Sequence, residues 1–304
     1  MKRKLILSFA TMAIVVLLCA DKAHSVLKDV VFYDDAVVGT GEQYRYVTVY
    51  DSPPETTTIE FYGYGFRIET YDLSNVNMYE GALSYGLITH NSSTVNVYKG
   101  GSFGENFGLY EFNLYDSSVV NVYDGGGFYG GTGGQVYLYD SSCLNIYGGD
   151  IFSFIFTNHK SIVNFYNGNL HLPFVLESES ILNLYGGYID TYYGTSSIEP
   201  TATANIYGYS FEYEPHGRWD YIVEPADGYW VSKLTGFAFN GKPFTYWGIP
   251  DPATNPNIHL IPEPNTLVVL GLGAITALRK QRRRKEYGKR GESNKAKKAN
   301  TCPD

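Results

Sequence analysis

Two carboxylates invite a catalytic reading first. Asp116 and Asp140 stand in equivalent positions of two similar stretches, Asp116-Ser117-Ser118 and Asp140-Ser141-Ser142. A glycosidase needs two carboxylates on one face, so this pair is the starting candidate for sugar hydrolysis. The competing explanation is turn chemistry, because Asp, Asn and Ser bond their own backbone in tight turns, and the residue types favour it. A polysaccharide lyase would need an Arg or Lys base beside acidic residues. Between Ile59 and Gly208 the only cations are Arg67, Lys99 and Lys160, and none lies in an unusual acidic cluster. His90 and His159 fall at similar turn positions of non-adjacent repeats, and isolated histidines of this kind are read as surface residues, not as a metal site. The runs Gly125-Gly126-Gly127 and Gly130-Gly131-Thr132-Gly133-Gly134 lack the Lys-Ser/Thr of a phosphate loop and the Asp spacing of calcium-binding nonapeptides. They read as corners and an enlarged loop. The residues therefore point away from an enzyme and imply no cofactor and no metal.

The elements that carry these residues are repeats. An apolar–Asn–apolar–Tyr motif recurs around Asn77, Asn96, Asn121, Asn145, Asn164, Asn183 and Asn205, with spacings of 19, 25, 24, 19, 19 and 22 residues. Val95-Asn96-Val97-Tyr98 and Leu144-Asn145-Ile146-Tyr147 show it plainly. A polar, Ser-containing turn precedes most copies, and a second short alternating run, such as Phe112-Asn113-Leu114-Tyr115, precedes the turn. Apolar positions alternate with period two, which excludes helical repeats. A period near 20 residues predicts a coil of two or three short strands, stacked on its neighbours through parallel hydrogen bonds. The expected fold is all-β, a parallel β-helix or solenoid of seven to eight coils, right-handed and roughly 35 Å long at the usual strand spacing.

Alternation also assigns the faces. With Val95 and Val97 inward, Asn96 and Tyr98 point outward. Stacking then lines up Tyr79, Tyr98, Tyr123, Tyr147, Tyr166, Tyr185 and Tyr207 beside a column of asparagines. Such ladders hold cross-β stacks together, and an exposed tyrosine stripe also suits contact with carbohydrate or protein. The two roles are compatible. The expected organisation is a cap over 26–58, repeats over 59–209 and a second cap over 210–260. The last is rich in Pro, Trp and Phe and contains a hairpin with an Asn240-Gly241 turn.

Charge narrows the partners. Over Val26–Leu260 there are 8 Lys and Arg against 26 Asp and Glu, a net of about −18 that the whole-chain value of −8 conceals. So acidic a body is a poor partner for phosphates, and no nucleic acid is expected. Cys143 is the one cysteine of this body, with Cys19 and Cys302 near the ends, so an intramolecular disulfide within the body is excluded.

The ends read as addresses. Met1-Lys2-Arg3-Lys4, the apolar run Leu5–Ala20 and Ala23-His24-Ser25 compose a secretory signal peptide, 1–25, for signal peptidase. Near the other end, Pro262-Glu263-Pro264 is followed by the apolar run Thr266–Leu278. A basic cluster then follows, Arg279, Lys280, Arg282, Arg283, Arg284 and Lys285. Thirteen apolar residues are short for a membrane span of roughly 20, yet the basic cluster suits a cytoplasmic headgroup region. This arrangement over 261–285 resembles the PEP-CTERM sorting signal of exported bacterial proteins. The resemblance implies that Pro262, Glu263 and Pro264 are recognised by an exosortase and that the apolar run makes a transient membrane contact. It also implies export through the inner membrane to the cell surface or matrix, in association with exopolysaccharide. Residues 286–304 extend past the usual end of such signals as a polar, basic tail. The expected function is a non-enzymatic surface or matrix protein. A β-helix polysaccharide lyase or hydrolase and an adhesin-like carbohydrate-binding module are the alternatives.

Overall fold

A computed structural model describes residues 27–80, 82–103, 111–128, 134–171, 173–190, 196–218 and 230–262. All regular structure among them is β. The expected signal peptide 1–25, Glu263, Pro264, the apolar run Thr266–Leu278, the basic cluster and the tail lie outside the described residues, as do Cys19, Cys302 and most of the second glycine run.

The chain winds through about seven turns of a β-solenoid. Its strands form three parallel ladders. The first runs through Lys28–Phe32, Gln43–Val49, Tyr64–Thr70, Leu87–Thr89, Glu111–Leu114, Gln135–Leu138, Phe154–Thr157, Phe174–Leu176 and Ser197–Ile198. The second, which carries the Asn motif, runs from Ala36–Val38 and Thr58–Phe61 through Asn75–Met78, Thr94–Val97, Val119–Val122, Cys143–Ile146, Ile162–Phe165 and Ile181–Leu184 into Thr203–Arg218. The third is narrower, built of two-residue strands such as Ser102–Phe103, Gly127–Phe128, Asp150–Ile151, Asn169–Leu170 and Tyr188–Ile189.

Alternation places every second residue in the core. In the second ladder Ile59, Val76, Val95, Val120, Leu144, Val163 and Leu182 make one inward row, and Phe61, Met78, Val97, Val122, Ile146, Phe165 and Leu184 make another, all essentially inaccessible. β-Branched and long aliphatic side chains suit parallel strands stacked in register. Each fully buried one contributes roughly 1.5–3 kcal/mol of transfer free energy, which replaces the disulfide the body cannot form.

The stacking begins ahead of the Asn motif. Lys28–Phe32 and Ala36–Val38 already pair in parallel with Gln43–Val49 and Thr58–Phe61, so the stretch expected as a cap, 26–58, is itself wound into coils. The other end changes character. Thr203–Arg218 pairs antiparallel with Trp230–Phe237, which pairs antiparallel with Pro243–Trp247. The turn between the last two contains Asn240-Gly241, with Gly241 at φ +78°. Thr245 and Tyr246 of the returning strand then join the third ladder beside Tyr188 and Ile189. The hairpin thus occupies the strand edge that an unfinished solenoid would expose.

Candidate functional site

The outward residues of the second ladder engage one another along the whole stack. Nδ2 of Asn96 donates to Oδ1 of Asn77, and the same bond repeats from Asn121 to Asn96, Asn145 to Asn121, Asn164 to Asn145, Asn183 to Asn164 and Asn205 to Asn183, at 2.8–2.9 Å. Every amide points the same way, so the bonds polarise one another. The row starts on a carboxylate, because Asn77 donates to Oε1 of Glu60 at 3.1 Å. An anion belongs at that end, where the aligned N–H groups converge. Glu60 occupies the Asn position of its coil, a substitution invisible to a motif search that requires Asn.

The tyrosines stand one position further out. Tyr62, Tyr79, Tyr98, Tyr123, Tyr147, Tyr166, Tyr185 and Tyr207 form a continuous stack with centroid separations of 4.4–5.3 Å and interplanar angles of 5–14°. Tyr207 meets Phe239 of the cap hairpin in a T-shaped contact with centroids 6.2 Å apart. Near-parallel stacking spends ring faces on neighbouring rings, so the solvent meets mostly edges and hydroxyls. Burial, with the carboxylate of Glu60 as acceptor, pushes the Tyr79 phenol up to about 12, and burial beside Tyr207 does the same for Tyr185.

A second ring stack was not anticipated. Tyr33, Tyr50, Tyr71, His90, Tyr115 and Tyr139 follow one another at 4.7–5.5 Å, just before the Ser-containing turn. His90 is a member of this stack, sandwiched between Tyr71 and Tyr115. The same position continues as Asn158 and Glu177, joined by a 3.4 Å hydrogen bond, which ends the aromatic pattern and hides it from a search for repeated tyrosine.

The next residue is the corner itself. Asp72, Asn91, Asp116, Asp140, His159 and Ser178 all adopt φ of 55–59°. Short polar side chains tolerate this left-handed region best. Their side chains also reach one coil back. Oδ2 of Asp116 accepts from the amide of Asn91 at 2.9 Å, Oδ2 of Asp140 accepts from Asp116 at 3.3 Å, and Nδ1 of His159 accepts from Asp140 at 3.3 Å. Asp116 and Asp140 therefore stack on one edge, and one oxygen of each carboxylate caps a backbone amide of the preceding coil. His90 and His159 occupy neighbouring positions of the turn instead of equivalent ones.

The remaining candidates are dispersed. Arg67 pairs with Glu69 at 2.5 Å and lies over the Tyr46 ring at 4.8 Å, while Lys160 approaches Glu179 at 3.9 Å. The thiol of Cys143 is raised mainly by burial, with Asn145 and Asn164 opposing that through hydrogen bonds. Among the described residues no group of three or more His, Cys, Asp and Glu is placed to hold a metal ion. Of Pro262-Glu263-Pro264 only Pro262 is described, as the last residue of the strand Ile258–Pro262.

Comparison of the chain with family models, with curated proteins and with solved structures finds no match in any of the three.

Proposed function

We propose that this chain is an exported, non-enzymatic protein of the bacterial surface or extracellular matrix, a right-handed β-solenoid sorted by an exosortase through Pro262-Glu263-Pro264 and associated with exopolysaccharide. Right-handedness is the hand that crossover connections between parallel strands favour. One observation supports the reading above others. The residues that repeat most regularly on the surface, the Asn and Tyr columns, are bonded and stacked to one another along the axis. That is how a passive rod is built, and the acidic body keeps such rods apart by self-repulsion.

The test has two arms. The full chain, solubilised in mild detergent, is co-sedimented with the exopolysaccharide of its host while polymer length is followed. Co-sedimentation without shortening is expected, and shortening would make the protein a depolymerase and overturn the reading. In cells, Glu263→Ala is expected to leave an unprocessed, membrane-retained chain. Normal processing of that variant would remove the sorting role of the motif.

A further inference from the structure

The surface row on the third ladder behaves differently from the Asn and Tyr columns. Its outward positions read Asp150, Asn169, Tyr188 and Thr245 in strict register, four chemistries in four successive strands. The row lies on a cleft of about 510 Å³ between the glycine corners and the cap hairpin, with Asp124 and Lys242 among its other lining residues.

Glycine corners that stack tightly on the preceding coil adjoin the cleft. Gly149 and Gly187 adopt φ of +84° and +87°, and a Cβ on Gly149 would lie 2.0 Å from the carbonyl oxygen of Gly126. Tyr166, at 36% exposure one of the more open rings of its column, borders the cleft on one side. The hairpin closes it on another. Within it, Nδ2 of Asn169 donates to Oδ1 of Asp150 at 2.7 Å, which fixes that carboxylate in place. The volume falls in the roughly 300–1,000 Å³ range of ligand sites.

We infer that this cleft is a binding site for a short stretch of a neutral, hydroxyl-rich glycan. Carboxylates, amides, phenols and an ammonium together offer acceptors and donors suited to hydroxyl groups. Two carboxylates against one lysine, on a body of net charge about −18, disfavour a polyanion such as a uronate. The inference rests on the polymer association proposed above and locates it on the third ladder, beside Tyr166 of the tyrosine stack.

The full chain is titrated calorimetrically with cellopentaose, with linear mannopentaose and with a pentauronate. Saturable binding of at least one neutral pentasaccharide is expected. Asp124→Asn and Lys242→Ala, both exposed and outside the core, are each expected to weaken it by about tenfold, the effect of one charged hydrogen bond. Tyr98→Phe, distant along the stack, is expected to change nothing. Absence of neutral binding, tighter uronate binding, or cleft variants that bind like the unchanged chain would each overturn the inference. If those variants still co-sediment fully with exopolysaccharide, the cleft inference falls and the matrix reading stands. If the unchanged chain binds pentasaccharide but does not co-sediment, the matrix reading falls and the cleft stands.

Discussion

The central coils turn two corners with left-handed backbone, and the two are built from opposite materials. At the corner after the Tyr column the chain uses Gly100, Gly125, Gly149, Gly168 and Gly187, at φ of 78–105°. At the corner before the Asn column it uses Asp, Asn, His and Ser at φ of 55–59°. The backbone demand is similar, so the difference lies in where a Cβ would go. At Gly149 and Gly168 it would meet a carbonyl oxygen of the preceding coil at 2.0 and 2.5 Å. At the other corner the Cβ has room, and its side chain reaches back to cap an amide one coil away. One corner is set by exclusion and the other by recruitment.

Substitution separates the two most sharply. Gly149→Ala adds left-handed strain and a steric overlap with backbone, and it is expected to cost about 3–5 kcal/mol in denaturant unfolding. Asp116→Gly relieves strain but loses a cap, and it should move stability by no more than about 1 kcal/mol. Equal losses at the two sites would abolish the distinction.

The columns between the corners extend the comparison. Asn121→Ala breaks two amide bonds in mid-row, to Asn96 and from Asn145, and is expected to cost about 2 kcal/mol by thermal unfolding. Asn205→Ala loses only its bond to Asn183 and should cost about half as much.

Alkaline pH tests the tyrosines. The phenols of Tyr71, Tyr79 and Tyr185 are pushed from 10.0 to about 12, in each case first by burial. Their contribution is complete below pH 10, where folded and unfolded phenols are both neutral. It is lost as pH rises from 10 to about 12, because the unfolded chain ionises first. Ultraviolet titration should show delayed tyrosinate formation in the folded protein and falling stability across that window. Ionisation of these phenols at their ordinary value would break the prediction.

The smallest effect concerns the inward serines of the polar corner. Ser93, Ser118 and Ser180 meet a threonine hydroxyl one coil back, Thr70, Thr89 and Thr157, at 2.7–2.8 Å. Ser142 and Ser161 are buried with no hydrogen-bond partner for their hydroxyls, and the corresponding first-ladder positions are Leu114 and Leu138. Ser93→Ala is expected to lose about 1 kcal/mol, and Ser142→Ala to gain about as much. The same sign for both would show that the cross-coil hydroxyl pair has no energetic role.

Much of the coil could be read from Asn96, Asn121, Asn145 and their flanking residues, because a period-two pattern recurring every 19–25 residues leaves little choice of fold. The longer spacings also have a visible place. Residues 104–110 and 129–133 fall between the third-ladder strands Ser102–Phe103 and Gly127–Phe128 and the first-ladder strands that follow them. Other features gave no repeated letter to find. Glu60 ends the amide row because its chemistry differs from Asn. His90 joins a tyrosine stack because an imidazole is also flat. The row Asp150, Asn169, Tyr188 and Thr245 has no common residue type, and Thr245 reaches it from the cap, 57 positions after Tyr188 in the chain.

Local chemistry, then, is what the sequence determined by itself: alternation chose strands, glycine and short polar residues chose the corners, and the repeat chose the stack. Register between coils and the return of the hairpin were decided only in three dimensions. Those depend on which carbonyl, ring or amide lies one coil away, and along the chain such partners are 17 to 60 residues apart. The cleft belongs wholly to that second class, since its wall is made by a hairpin folding back onto strands that precede it.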